Sequence, residues 1–325
     1  MVAVGMFGKM PSFGDFVSVG TGTPGYQTFV RWLEDSNDVM AERGQALGKD
    51  PLGFMIRHVD TGTLLVGILV GSVDSVGRTF PLGLFYEVPH EGVCLAGLPQ
   101  SMAMGLGRLA SVARKARVRA HEEVKSLVRG LELPTDKDLA IRSQAELHRL
   151  RIVKARVMLE RVYGPEHAPH YATSVIQQAC GLAAERKASA PLVLEGRVRT
   201  DIELLFQLAC VDGMSGGGLP GAALWEVRRH RALFVLGKPD RRLLALMASN
   251  AEADRLWPMW TDRKDVARKS RDGLVAPCRE LLDEPGVMSA KDFLDAMAAA
   301  CKPPPDEPEA PRERQRQRKW QRRVL

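Results

Sequence analysis

Short apolar segments follow one another along the first part of the chain, and turns rather than helices separate most of them. Residues 54–59 and 64–70 have the composition of β-strands and flank Asp60-Thr61-Gly62-Thr63, a hairpin connection in which glycine can adopt positive φ. Further strands are predicted over residues 2–7, 15–19 and 79–88. Strands joined by hairpins pair antiparallel, whereas parallel strands need a long crossover. The pattern therefore predicts an α/β protein of the α+β kind, with an antiparallel sheet packed with helices.

One helix is predicted inside this region and several after it. Thr23-Pro24 combines a hydroxyl cap with proline at the first helical position. Tyr26, Phe29, Val30 and Leu33 then follow at a spacing that places them on one helical face. Residues 101–131 form a long stretch that contains no proline and is mostly helix-forming, and residues 139–186 predict a mainly helical segment interrupted at Gly164-Pro165 and Pro169.

Composition sets the class of protein. Of the 325 residues, 45% are apolar and 26% charged, which is typical of a soluble globular protein. The first residues lack a basic segment followed by an apolar run, so we expect no secretory signal and a cytoplasmic protein. The five cysteines are isolated from one another, which predicts free thiols rather than disulfides or a zinc site.

The positive charge is concentrated at the end of the sequence. The formal net charge is +7, and the segment 312–325 holds seven Lys or Arg residues against the single acid Glu313. Residues 302–325 are rich in Pro, Glu and Arg and are predicted to be a disordered basic tail. The segment 312–325 thus carries +6 of the net +7, so the basic balance describes this end of the sequence rather than the folded body.

Two charged, glycine-containing loops hold the candidate functional residues. Gly5-Met6-Phe7-Gly8-Lys9 ends in the Gly-Lys pair of a phosphate-binding loop, but the earlier glycine and the hydroxyl after the lysine are missing, and Pro11 has no N–H to donate. Ser72-Val73-Asp74 and Gly77-Arg78 bring a hydroxyl, a carboxylate and a guanidinium into one segment without a nearby base. Lys9, Asp15 and Arg78 are predicted to form a charge network that marks a binding surface. No complete catalytic constellation is present, so we expect no enzyme activity, cofactor or catalytic residue.

His167 and His170 have the spacing of a histidine pair that binds metal. Pro169 lies between them and no third ligand is adjacent. Two incidental histidines in a loop are therefore expected, with no metal site.

The two charged loops also resemble the signatures of the TagF (ImpM) family, which is associated with bacterial type VI secretion. The first is Gly5-x-Phe7-Gly8-Lys9-x-Pro11-x-x-Gly14-Asp15-Phe16, and it is followed by Arg31-Trp32-Leu33. The second is Ser72-Val73-Asp74-x-Val76-Gly77-Arg78-x-Phe80-Pro81-Leu82. Further along, Leu224-Trp225 and Gly237-Lys238-Pro239 are similar to the closing part of the family pattern. Gly71, Ser75 and Glu226 depart from it, since the family there tends to have proline, arginine and a second tryptophan.

The resemblance implies a longin-like sandwich of sheet and helices and a role as a post-translational repressor of type VI secretion. It implies binding to the forkhead-associated scaffold protein Fha, without a small-molecule substrate. The residues that it marks as partner-binding or structural are Gly8, Lys9, Gly14, Asp15, Phe16, Trp32, Ser72, Asp74, Gly77, Arg78, Phe80 and Pro81.

Four regions are predicted from these patterns. Residues 1–130 form the TagF-like N-terminal region, residues 131–215 a mainly helical insertion, residues 216–301 a closing strand pair with helices in the same or a second small domain, and residues 302–325 the basic tail. Two alternatives to the regulatory role stay open. One is a nucleotide- or anion-binding module that uses Lys9, Asp15, Asp74 and Arg78, and the other is attachment to nucleic acid or a membrane through the tail.

Overall fold

A computed structural model describes residues 1–185, 191–215, 220–249 and 256–301. The predicted basic tail lies outside these ranges. Within them the chain is mixed α/β, and nine strands form one sheet in the order β2-β1-β5-β4-β3-β7-β8-β6-β9. The strands are β1 Ala3–Gly8, β2 Val17–Val19, β3 Leu52–His58, β4 Thr63–Val70, β5 Leu82–Pro89, β6 Leu192–Gly196, β7 Ala222–Glu226, β8 Arg231–Leu236 and β9 Leu256–Pro258.

The predicted antiparallel pairing is confirmed. β3 and β4 form a hairpin in which His58 lies opposite Thr63, and Gly62 adopts a φ of +63° in the connection. All other neighbouring strands are also antiparallel except β6 and β9, which run parallel. The strand predicted over 79–88 begins later, at Leu82, because Phe80 donates its backbone N–H to the Ser72 carbonyl in the preceding loop (3.1 Å).

Helices cover both faces of the sheet. They are α1 Pro24–Glu42, α2 Leu98–Ser101, α3 Ala103–Lys115, α4 His121–Arg129, α5 Asp136–His148, α6 Ala155–Tyr163, α7 Ala168–Glu185, α8 Asp201–Met214, α9 Leu243–Ala248, α10 Lys264–Gly273, α11 Ala276–Asp283 and α12 Ala290–Ala300. One face packs against α1 and α9 around Phe29, Phe54, Leu65 and Phe85. The opposite face packs against helices that include α3, α4 and α8.

Helix α1 begins as its cap predicts. The Thr23 hydroxyl accepts the Tyr26 backbone N–H at 3.3 Å, and Pro24 occupies the first turn. Of the predicted stripe, Tyr26, Phe29 and Leu33 are buried and Val30 is half-buried. The apolar face of α1 therefore lies on the sheet, as expected of an amphipathic helix.

The structure confirms one helical prediction and corrects another. The stretch 101–131 is mostly helical and is divided between the end of α2, α3 and α4, with Ala120 in an extended conformation at the start of α4. Val124 and Val128 of α4 are fully buried. The prediction that Pro169 interrupts a helix was wrong, because Pro169 occupies the first turn of α7, where no intrahelical N–H is needed.

The later regions build the second half of the same sheet. The segment 131–215 is mainly helical and also contributes β6. The strand pair β7–β8, predicted as part of the same or a second domain, joins the N-terminal half directly, because β7 pairs with β3 through residues such as Leu224 and Phe54. The central sheet therefore runs without a break through both halves. No helix of the described residues is long and apolar enough to cross a membrane.

Candidate functional site

The two charged loops meet at one end of the sheet. The first loop, residues 9–16, leaves β1, and the second loop, residues 71–81, joins β4 to β5. Oδ2 of Asp74 accepts from Lys9 Nζ at 2.9 Å and from Arg78 Nε at 2.7 Å. Its Oδ1 accepts the backbone N–H groups of Val76 and Arg78 at 3.0 and 2.8 Å. The Asp74 carboxylate thus accepts hydrogen bonds from two cationic side chains and two backbone amides.

Asp74 remains ionised in this setting. Its side chain is fully buried, and burial by itself raises the pKa of a carboxyl group. The Lys9 ammonium, the Arg78 amide and guanidinium and the Val76 amide outweigh that effect and hold the pKa of Asp74 well below its usual value. The Lys9 side chain is only 8% exposed, so its charge is committed to this pair rather than to solvent.

Hydrogen bonds to backbone carbonyls of the first loop connect the two loops. Ser75 donates its N–H to the Phe13 carbonyl at 3.2 Å. The Arg78 guanidinium also donates through Nη2 to the Gly14 carbonyl. Arg78 therefore reaches across from the second loop to the first while it holds Asp74.

Two glycines make this arrangement possible. Gly8 has a φ of +143°, and a Cβ there would lie 2.2 Å from the Pro81 carbonyl oxygen. Gly77 has a φ of +88° and donates its N–H to the Asp74 carbonyl at 3.1 Å, which closes the turn of the second loop. A side chain at either position would be strained, because this region of φ is favourable only for glycine.

An aromatic cluster links the two loops to β1. Phe16 stacks on Phe7 with ring centroids 5.0 Å apart and meets Phe80 edge to face at 4.8 Å. Phe7 and Phe80 also meet edge to face, at 5.8 Å, and Lys9 Nζ lies 5.2 Å from the centre of the Phe16 ring. These rings connect the loops to the core on the α1 face.

The outer surface of the loops exposes three apolar side chains and one cation. Val76 is 68% exposed, Val73 43% and Phe16 39%, and the Arg78 side chain is 59% exposed. We call these four residues the loop patch. Sequence reasoning marked Phe16 and Arg78 but missed the two valines, because single apolar residues in a loop have no periodicity that reveals them.

The remaining predicted site residues divide between this site and the rest of the fold. Asp15 is exposed and its carboxylate accepts the N–H of Phe16 at 2.7 Å, so the carboxylate at the centre of the network is Asp74 and not Asp15 as predicted. Ser72 and Pro81 belong to the second loop, and Pro81 is buried. Trp32 lies apart from the loops on α1, where its indole N–H donates to the Asp240 carbonyl at 3.1 Å.

His167 lies in the turn before α7, whereas His170 is buried in the first turn of α7 and not in a loop as predicted. Nε2 of His170 lies 2.9 Å from the Asp283 carboxylate. This carboxylate also accepts hydrogen bonds from Nε and Nη2 of Arg271 at 2.8 and 2.6 Å. Burial lowers the pKa of His170. Among the described residues no group of three or more potential ligands could hold a metal ion.

The fold and site define a mixed α/β protein with two ion-paired loops at one end of its sheet. Residues 5–132 match the family model of the TagF N-terminal domain, Type VI secretion system-associated. This region is therefore a TagF N-terminal domain, and the chain is a type VI secretion system-associated protein. The matched region includes both loops of the site.

The crystal structure of PA0076 from Pseudomonas aeruginosa PAO1 is similar at 23% sequence identity, covering 44% of this chain and 78% of that chain with a TM-score of 0.35. No curated protein matches the sequence.

Proposed function

We propose that the protein is a cytoplasmic, non-catalytic regulator that represses type VI secretion by binding the forkhead-associated scaffold protein Fha. The TagF N-terminal domain supports the association with the secretion system. The loop patch is the observation that carries the binding role: three exposed apolar side chains and an exposed arginine lie on two loops that a buried ion pair holds together.

The physics of interfaces favours this use of the loop patch. Apolar side chains and arginine are typical of the centre of a protein–protein interface, where burial on association releases water. A surface that is rigid before binding also loses less conformational entropy when it binds. The Lys9–Asp74 pair and the two glycine turns supply that rigidity, while Arg78 supplies a positive charge suited to an acidic partner surface.

The contacts of Lys9 weigh against the nucleotide alternative. A phosphate-binding lysine presents its ammonium to the ligand, whereas Lys9 is buried against Asp74 at 2.9 Å. Calorimetry with nucleotides and divalent metals separates the two ideas, because the proposed function predicts no heat. The tail alternative concerns residues outside the described ranges, and a variant without residues 303–325 tests it through the salt dependence of binding to nucleic acid or vesicles.

The direct test measures binding of the purified chain to the purified Fha scaffold. Val76→Asp places a negative charge in the loop patch, and we expect affinity to fall at least about tenfold, since a desolvated charge at an interface costs more than 1.4 kcal/mol. Val287→Asp is the matched control, because Val287 is 89% exposed and lies between α11 and α12, far along the chain from both loops. Binding to Fha should be unchanged in this variant.

The repressor role needs a separate readout. Deleting the gene should raise secretion by the type VI system, and Val76→Asp should reproduce that rise while the protein level stays normal. An intact protein that does not bind Fha, or equal losses for Val76→Asp and Val287→Asp, would contradict the proposal.

A further inference from the structure

Two of the five cysteines touch each other in the structure. All five are free thiols, and they are isolated from one another in the sequence. Cys278 lies in the first turn of α11 and Cys301 caps the end of α12, and their Sγ atoms are 3.5 Å apart. A disulfide bond is about 2.0 Å long, so the two sulfurs need to approach by about 1.5 Å to form one. Side-chain rotation at the end of a helix can supply a shift of this size.

A glutamine of α7 donates to both sulfurs. Nε2 of Gln177 lies 3.3 Å from Sγ of Cys278 and 3.0 Å from Sγ of Cys301. Helix α7 packs against α11, and α11 packs against α12, so three helices meet at this point. One amide group therefore keeps the two sulfurs side by side.

The two thiols differ in their access to solvent. Cys278 is fully buried, whereas Cys301 is partly exposed. Burial, followed by the neighbouring Cys301, raises the pKa of Cys278 to about 12, and the Gln177 amide acts in the opposite direction. Cys278 is therefore a neutral thiol near pH 7, and an oxidant from solution reaches Cys301 first.

Two more thiols lie within electrostatic range of Cys301. Burial raises the pKa of Cys180 and Cys210 to about 12, and the charge of Cys301 contributes to both shifts in the same direction. Both residues are buried. They are alternative partners for Cys301 that an experiment must distinguish, whereas Cys278 already has its sulfur in contact with it.

We propose that Cys278 and Cys301 form an oxidation site, which hydrogen peroxide converts into a disulfide that joins α11 to the end of α12. The deprotonated sulfur of Cys301 attacks one oxygen of the peroxide, the O–O bond breaks, and Cys301 becomes a sulfenic acid as hydroxide leaves and is protonated to water. The Cys278 sulfur then attacks the sulfur of Cys301 and gives up its proton, so that the S–S bond forms and a second water leaves. Two thiols and one hydrogen peroxide thus yield one disulfide and two waters, with two electrons passing from sulfur to oxygen.

A disulfide at this position stabilises the C-terminal helices. It closes the loop from Cys278 to Cys301, which contains most of α11 and all of α12, and a closed loop has less entropy in the unfolded chain. Because Cys301 is partly exposed, a thiol reductant can reverse the bond by exchange. The site shares no residue with the loop patch, so it does not depend on the proposed function.

The experiment treats the purified, reduced full chain with hydrogen peroxide, alkylates the remaining thiols in urea and maps the cysteine peptides by mass spectrometry. We expect a peptide pair that joins Cys278 to Cys301 and is two hydrogen atoms lighter than the separate peptides. The number of free thiols should fall from five to three, because two of the five are consumed, and dithiothreitol should restore it. The melting temperature should rise by about 5 °C on oxidation, because the closed loop destabilises the unfolded chain.

Two variants locate the bond. Cys301→Ala removes the exposed partner, so peroxide should produce neither the cross-linked peptide nor the rise in melting temperature. Cys94→Ala is the matched control, because Cys94 is also partly exposed but lies before α2, and this variant should form the bond as the unmodified chain does. Circular dichroism of each variant shows that it is folded.

Several outcomes would overturn the proposal. They are five free thiols after peroxide treatment, a bond from Cys301 to Cys180 or Cys210, and bonds between copies of the chain on a non-reducing gel. A melting temperature that falls or stays unchanged on oxidation would show that the bond does not hold the native helices together and would also count against the proposal. Failure here leaves the Val76→Asp result untouched, so the two proposals are tested separately.

Discussion

Two phenylalanines of the aromatic cluster should respond differently to truncation, although they touch each other. Phe80 is 4% exposed and meets Phe7 and Phe16 at 5.8 and 4.8 Å. Phe80→Ala removes a buried ring and leaves a cavity, which costs about 3–4 kcal/mol of unfolding free energy. Phe16 shares the same neighbours but is 39% exposed. Over a third of its surface is already in water, so Phe16→Ala should cost only about 1–2 kcal/mol.

Urea unfolding of the purified chain, followed by circular dichroism, measures both free energies. The expected difference is about 2 kcal/mol, well above the error of the linear extrapolation when the slopes are equal. Binding to the Fha scaffold should show the opposite order of importance, because folded Phe16→Ala loses a ring of the loop patch. Equal destabilisation by the two variants would show that Phe16 belongs to the core in solution and would refute the assignment of its ring to the loop patch.

Two further predictions concern the loops themselves. Because the pKa of Asp74 is lower in the folded than in the unfolded chain, its stabilising contribution is complete above the unfolded pKa of about 4 and is lost as pH falls toward the folded value. The urea midpoint should therefore fall between pH 5 and pH 3, and Asp74→Asn should show a shallower fall; parallel curves would contradict this. Gly8→Ala should cost roughly 2–4 kcal/mol, since its φ is +143° and the new Cβ would lie 2.2 Å from the Pro81 carbonyl. Gly62→Ala is the control with a φ of +63° and no heavy atom within 4 Å, and should cost only about 1–2 kcal/mol in the same urea assay; equal costs would show that the close approach is relieved.

Local patterns predicted the N-terminal half of the fold well. The Thr23-Pro24 cap, the stripe led by Tyr26 and Phe29, and the turn at Gly62 each depend on residues a few positions apart, and the structure confirms them. Prediction failed where a sequence pattern was compatible with both a strand and a helix. Residues 192–196 lay inside the segment 131–215 that was predicted to be mainly helical. A short apolar run fits a strand or a buried helix, and pairing with β8 makes this one β6.

The candidate site was predicted in part, because its loops have local sequence signals and its long-range contacts do not. Glycines with charged neighbours marked both loops, and Lys9, Asp74 and Arg78 were all identified. Their pairing was not, because Asp15 is only six residues from Lys9 whereas Asp74 is 65 residues away. Nothing in the spacing of the acids indicates which one the fold brings to the lysine.

The sequence by itself determined the antiparallel hairpins, the position of α1 and the two loop signatures, since turns, caps and periodicity are encoded by neighbouring residues. Only the tertiary structure decided that Asp74 rather than Asp15 holds Lys9, that β7 extends the sheet beyond β3, and that Cys278 touches Cys301. Each of these depends on surfaces from distant parts of the chain meeting in space, because burial and charge pairing act over distance in the fold and not over separation in sequence.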